Sequence, residues 1–129
     1  MSANLKIASF STAVLPYKIV NDTSITATPI IDVVQGGGSL RDLTLDLSTG
    51  INHNYYLKLW LQSASVTVGN TPPDMIIKAN QDQIIRMAFP GGVPFSALSA
   101  GLYDSNADTS TAMTTTNNTG TVIITMVVS

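Results

Sequence analysis

The cleanest hydrophobic alternation in the chain spans residues 41–48, where Leu43, Leu45 and Leu47 face one way and Asp42, Thr44, Asp46 and Ser48 the other. A period of two with one apolar face predicts a half-buried antiparallel strand. Residues 55–62 repeat the pattern after a polar turn through Ser48-Thr49-Gly50 and Asn52-His53-Asn54. Tyr55, Leu57, Leu59 and Leu61 share one face there, and Tyr56, Lys58, Trp60 and Gln62 share the other. That second face sets two aromatics beside a lysine stem. Aromatic side chains dominate interface hot spots, which makes Tyr56, Lys58 and Trp60 candidates for contact with a partner. In a two-sheet sandwich the same residues also suit core or rim positions.

Weaker patterns fill in the rest. Residues 10–20 read as a first strand. Ile25, Ala27, Pro29, Ile31 and Val33 alternate up to Gly36-Gly37-Gly38, and Pro29, which donates no N–H, places that strand at an edge. Ser65 to Val68 forms a short strand stub before the stiff loop Gly69-Asn70-Thr71-Pro72-Pro73. Residues 75–78 and 83–89 are further strands, the second stopped by Pro90-Gly91-Gly92. Residues 93–103 read as a bent connection anchored by Phe95, Leu98 and Leu102. Residues 104–120 are polar, with a strand signal only near Ala112 and Met113. The last run, residues 121–128, is apolar on both faces and predicts a central strand covered on both sides. The total of about seven to eight short strands separated by turns predicts an all-β fold, an antiparallel β-sandwich or jelly roll. No repeat of fixed period points to a solenoid or propeller.

Composition sharpens this picture. At 129 residues the chain fits one domain, 1–129, in which residues 1–24 are expected to include an arm reaching neighbouring subunits. Charged residues make up 11% of the chain, well below the usual share of about 25%, and all eight acids are Asp. Glu, Lys and Arg are good helix formers, and their scarcity beside abundant Thr, Ser, Val and Ile favours strands. Six scattered basic residues and a net charge of −2 argue against the phosphate-neutralising patch that nucleic acid requires. The absence of cysteine excludes disulfides and thiolate chemistry. No apolar run approaches the length of about 18 residues that a membrane helix needs, and Met-Ser-Ala-Asn does not open a secretory leader. The expectation is a soluble protein without a membrane partner, made in the cytoplasm of its producer.

Candidate chemistry is sparse. His53 sits in a polar turn with no Ser or Asp spacing that suggests a triad. Asp104-Ser105-Asn106-Ala107-Asp108 places oxygens at alternate positions as a calcium loop does, so Asp104, Asn106 and Asp108 form a weak metal candidate. Thr109 and Thr115 stand where such a loop needs its glycine and its bidentate acid, and a solvated Asx turn is the favoured reading. Gly36-Gly37-Gly38-Ser39-Leu40 lacks the Lys-Ser/Thr and the helix of a phosphate loop. Asn21-Asp22-Thr23 and Asn117-Asn118-Thr119 match the glycosylation sequon, which carries weight only in a secreted chain. No catalytic residue, cofactor or firm metal site is expected, and the chain does not read as an enzyme.

The order Tyr56-Leu57-Lys58-Leu59-Trp60, Ser65-Val66-Thr67-Val68-Gly69-Asn70-Thr71-Pro72-Pro73, Phe89-Pro90-Gly91-Gly92-Val93-Pro94-Phe95-Ser96, Gly101-Leu102 and Ala107-Asp108-Thr109 resembles small virion proteins of tailed phages. These are capsid decoration (cement) or other accessory structural proteins. The resemblance covers a little under half of the chain and rests on turn chemistry and strand patterning. Ala97-Leu98-Ser99-Ala100 departs from it, where a shorter connection is familiar. It implies a homo-oligomer, most simply a trimer, bound outside the major capsid protein shell on the virion exterior. The alternative it leaves open is a tail, fibre or baseplate domain that binds a host receptor or glycan. Gly69, Gly91 and Gly92 are expected to supply positive φ at strand ends, and Pro72, Pro73 and Pro94 to stiffen the crossings.

Overall fold

A computed structural model describes residues 6–11, 16–29, 37–62 and 65–129. The chain is all-β, and the described residues form eight strands: β1 (Lys6–Ser11), β2 (Pro16–Asp22), β3 (Gly38–Asp46), β4 (Tyr55–Trp60), β5 (Met75–Ala79), β6 (Ile84–Phe95), β7 (Ser99–Tyr103) and β8 (Ile123–Val128). They form a five-stranded sheet in the order β1-β2-β8-β3-β6 and a three-stranded sheet in the order β5-β4-β7, with every pairing antiparallel. Only β1–β2 and β4–β5 join chain neighbours that also pair; the connections β3–β4, β5–β6, β6–β7 and β7–β8 cross between the sheets. That winding is the jelly-roll form of the β-sandwich.

Alternation explains the core. Leu43 and Leu45 of β3, Ile124, Met126 and Val128 of β8, and Val20 of β2 point inward and are buried. They meet Tyr55, Leu57 and Leu59 of β4, Ile77 and Ala79 of β5, and Ala100 and Leu102 of β7 in one cluster. Each fully buried leucine in such a layer contributes about 1.5–3 kcal/mol. Leu47, just past β3, completes the face predicted for residues 41–48.

Several expectations change. Residues 10–20 are not one strand, because β1 and β2 form an antiparallel hairpin with Phe10 opposite Tyr17 and Lys6 opposite Asn21. The part of the expected arm that is described is thus paired within the sandwich, and residues 1–5 and 12–15 lie outside the described residues. The strand expected over residues 25–34 is absent up to Pro29, although the Thr26 carbonyl accepts a bond of 3.0 Å from Leu102 N on the edge of β7. Its remainder, with Ile31 and Val33, falls outside the described residues. Residues 65–70 form no strand; they bend into a turn in which Asn70 N and Thr71 N both donate to Thr67 O.

Pro90-Gly91-Gly92 does not end its strand. β6 runs on to Phe95, and the pairing with β3 jumps from Asp42–Ala88 to Leu40–Val93, so residues 89–92 bulge out opposite Arg41. An edge strand tolerates this, since its outer side has no ladder to lose, and Pro90 and Pro94 are accommodated for the same reason. Gly92 has a φ of 73° and Gly69 one of 90°, as expected, but Gly91 does not adopt positive φ and a Cβ there would meet nothing. Residues 99–103, expected as part of a bent connection, are strand β7, with Phe95, Leu98 and Leu102 buried as anticipated. β8 is central, between β2 and β3, yet its burial alternates, so Ile123, Thr125 and Val127 face outward and are only half covered.

Candidate functional site

The two sheets treat their outer faces differently. On the three-stranded sheet the outward residues of β4 lie beneath two of the chain's own loops. Lys58 and Trp60 are 1% and 2% exposed, which corrects the expectation that they offer a surface to a partner. The reason is the long, polar connection after β7. Lys58 Nζ donates to Ala107 O at 2.6 Å and sits 4.8 Å from the centre of the Tyr103 ring, while Tyr103 and Trp60 meet edge to face at 6.3 Å. Trp60 Nε1 donates to Thr71 O at 2.9 Å and pins the loop that carries Pro72 and Pro73. Tyr56 alone of the three is half-exposed, with Lys78 Nζ 5.9 Å from its ring centre.

Residues 104–120 are held along their length by polar side chains that precede or belong to β4. After Lys58 on Ala107, Tyr55 Oη donates to Thr114 O, and His53 Nε2 lies 2.5 Å from Thr116 O, which as a carbonyl can only accept, so that nitrogen carries the proton. Asn52 Nδ2 donates to Asn117 O at 2.5 Å, and Asn118 Nδ2 donates to Tyr55 Oη at 2.9 Å. The loop backbone, which lacks a strand partner, is satisfied by side chains instead. Asn52, His53 and Tyr55 are therefore loop anchors, a role that their types alone did not reveal.

The calcium candidate dissolves in the same network. Asp104 accepts from Thr114 N at 2.9 Å through one oxygen and from Thr114 Oγ1 at 2.8 Å through the other, so both oxygens brace the loop. Asn106 and Asp108 are exposed and share no described site with it. Among the described residues no group of three or more His, Cys, Asp or Glu converges.

Burial sets the electrostatics under the loop. The Lys58 ammonium, with no carboxylate among its described hydrogen-bond partners, is pushed below the ordinary lysine value, and the carboxylate of Asp108 opposes that shift more weakly. The Tyr103 phenol is pushed up to about 12 by burial. Its Oη finds no hydrogen-bond partner among the described residues. Tyr55 is raised as well, chiefly by burial, with the bond from Asn118 acting the other way.

The outer face of the five-stranded sheet has no such cover among the described residues. Its cross-strand rows run Ile19–Val127–Asp42–Ala88, Asn21–Thr125–Thr44–Arg86 and Ile123–Asp46–Ile84. Ile19, Ile123 and Val127 are half-buried by their sheet neighbours, and Ile84 is 56% exposed. The one described ion pair, Arg86 to Asp42 at 3.2 Å, lies on this face. No helix among the described residues is long and apolar enough to cross a membrane. Comparison with models of protein families, with curated proteins and with solved structures finds no match for this chain.

Proposed function

We propose that this chain is a phage virion structural protein of the capsid decoration type, which binds the shell of major capsid protein from outside as a homo-oligomer, most simply a trimer, and stabilises it. The supporting observation is the asymmetry of the sandwich: one outer face is covered over Lys58 and Trp60 by the chain's own loops, leaving Ile76 exposed at its edge, and the other leaves Ile19, Ile84, Ile123 and Val127 facing outward. Such a face, apolar at those four positions and with the charges of Arg86 and Asp42 paired, suits burial against another protein. On this reading the partner surface is the five-stranded sheet, not Tyr56, Lys58 and Trp60. Stabilisation then follows from mass action, since every copy that binds the closed shell and not its open form favours the closed form.

Particles lacking the chain, supplied with purified protein, test this. Wild type is expected to restore resistance to heat and chelator at on the order of hundreds of copies per particle, and Ile84→Asp to bind more weakly. Equal resistance with and without the chain overturns the reading. A copy number of about a dozen or fewer favours instead a tail, fibre or baseplate domain that binds a host receptor or glycan. The rigidly held residues 104–120 fit that second reading, because an ordered loop loses little entropy on binding.

A further inference from the structure

At one end of the sandwich the segment after β2 and the end of the long loop enclose an open groove of about 480 Å3. This volume falls within the range of about 300–1,000 Å3 typical of small-molecule sites. Its floor is apolar, made by Ile25, Ile51 and Val122, all buried, with Met113 beside them. Its rim carries the hydroxyls of Thr23, Thr115 and Thr121, beside those of Ser24 and Thr26, which already bond Asp22 and Thr28. None of the lining residues is titratable.

The walls are built before any ligand arrives. Asn118 is held from both ends of its amide, accepting from Asn52 N at 2.8 Å and donating to Tyr55 Oη. Thr49 Oγ1 donates to Thr121 O at 2.5 Å, and Thr119 N to Gly50 O at 2.9 Å. Ser24 N donates to Asp22 Oδ1 at 2.8 Å on the facing wall.

We infer that this groove binds a neutral saccharide. A sugar ring offers an apolar C–H face to such a floor and hydroxyls that both donate and accept to such a rim, and threonine and serine hydroxyls do both in return. An acidic or cationic ligand would meet no opposite charge among the lining residues. An extended peptide is the poorer occupant, because the Thr26 carbonyl that it would pair with is already taken by Leu102 N. The groove has no aromatic platform, so single-site affinity is in the millimolar range, and an oligomer raises it through multivalency. The inference does not depend on whether the chain sits on a capsid or a tail.

The test is a titration of the isotope-labelled full chain with cellobiose, maltose, lactose and chitobiose, followed by backbone amide resonances, with glucuronic acid as the charged comparison. One or more of the neutral sugars is expected to give saturable shifts at residues 23–26 and 113–122. Thr115→Arg and Thr121→Arg, both at exposed positions, are expected to fill the groove and weaken binding at least about tenfold with an unchanged melting temperature. Thr109→Arg, outside the groove, leaves binding intact. No saturable shift with any neutral sugar, shifts confined to other residues, undiminished binding in both folded arginine variants, or tighter binding of glucuronic acid would each overturn the proposal. Shell reinforcement is read by a separate assay, so either conclusion can fail without the other.

Discussion

Replacing Lys58 by Met isolates the charge that ties β4 to the loop above it. Met keeps an unbranched stem in the same slot and removes the ammonium. The loss comprises a charge-assisted hydrogen bond to Ala107 O, a type that contributes about 1.5–3 kcal/mol. It also includes the contact with the Tyr103 ring, about 0.5–2 kcal/mol for its type. Against these stands the desolvation of the ammonium of a residue that is 1% exposed, on the order of several kcal/mol. The terms oppose one another, so at neutral pH the variant should lie within about 2 kcal/mol of wild type. The pH dependence has a definite sign. Burial lowers the pKa of Lys58 in the folded chain beneath its ordinary value of 10.5. Between those two values the unfolded chain binds more protons than the folded one, and stability rises with pH. Wild type therefore gains on Lys58→Met through that window, by up to about 1.4 kcal/mol per pH unit, and the difference is flat below it. Urea unfolding of both proteins from neutral pH to about pH 11 measures the difference, in which the contributions of Tyr55 and Tyr103 largely cancel. A difference that stays level or falls as pH rises would refute the account of a desolvated, protonated Lys58.

Tyr103→Phe removes a buried hydroxyl that has no described partner, and should raise stability at neutral pH by about 1 kcal/mol in chemical denaturation. Because the folded pKa of Tyr103 is raised, its protonated form supports folding below about pH 10 and that support is lost towards about 12; the Phe variant should lack this part of the alkaline loss. Gly120→Ala would drive a Cβ into the backbone oxygen of Thr49, where neither backbone segment can readily yield, and should cost at least about 3 kcal/mol in thermal unfolding. Arg86→Ala breaks an ion pair whose arginine side chain is 74% exposed, and should change stability by less than about 1 kcal/mol in the same measurement.

The strands that declared themselves in the sequence were those with one face in the central core. Leu43, Leu45 and Leu47 alternate with polar neighbours because the other side of β3 faces outward, and Tyr55, Leu57 and Leu59 alternate with Tyr56, Lys58 and Trp60, whose side of β4 meets loops in place of the facing sheet. Where alternation depends on longer-range company, the local pattern misled. Ile123 and Val127 suggested a doubly covered strand, but β8 is central within its sheet and still open on its outer side, a matter of which layers exist. Trp60 and Lys58 suggested an available surface, but the loop at Thr71 binds Trp60 and a second loop about fifty residues beyond Lys58 covers the lysine. Residues 10–20 hid a hairpin because no glycine marks its turn, and β6 ran through Pro90-Gly91-Gly92 because an edge position removes the penalty that would stop it.

What the sequence determined by itself is the class of fold: strand-forming residues, period-two burial and frequent turns act over a few residues at a time, and composition reports them directly. The candidate site was out of its reach. The groove joins residues 23–26 to 113–122, and the anchors Asn52, His53, Tyr55 and Lys58 meet carbonyls of residues 107–117. Backbone carbonyls are the same at every position, so no residue type announces which of them a side chain will find. Only the winding of the two sheets, which carries the chain back over β4 after β7, decides that pairing and which outer face is left uncovered.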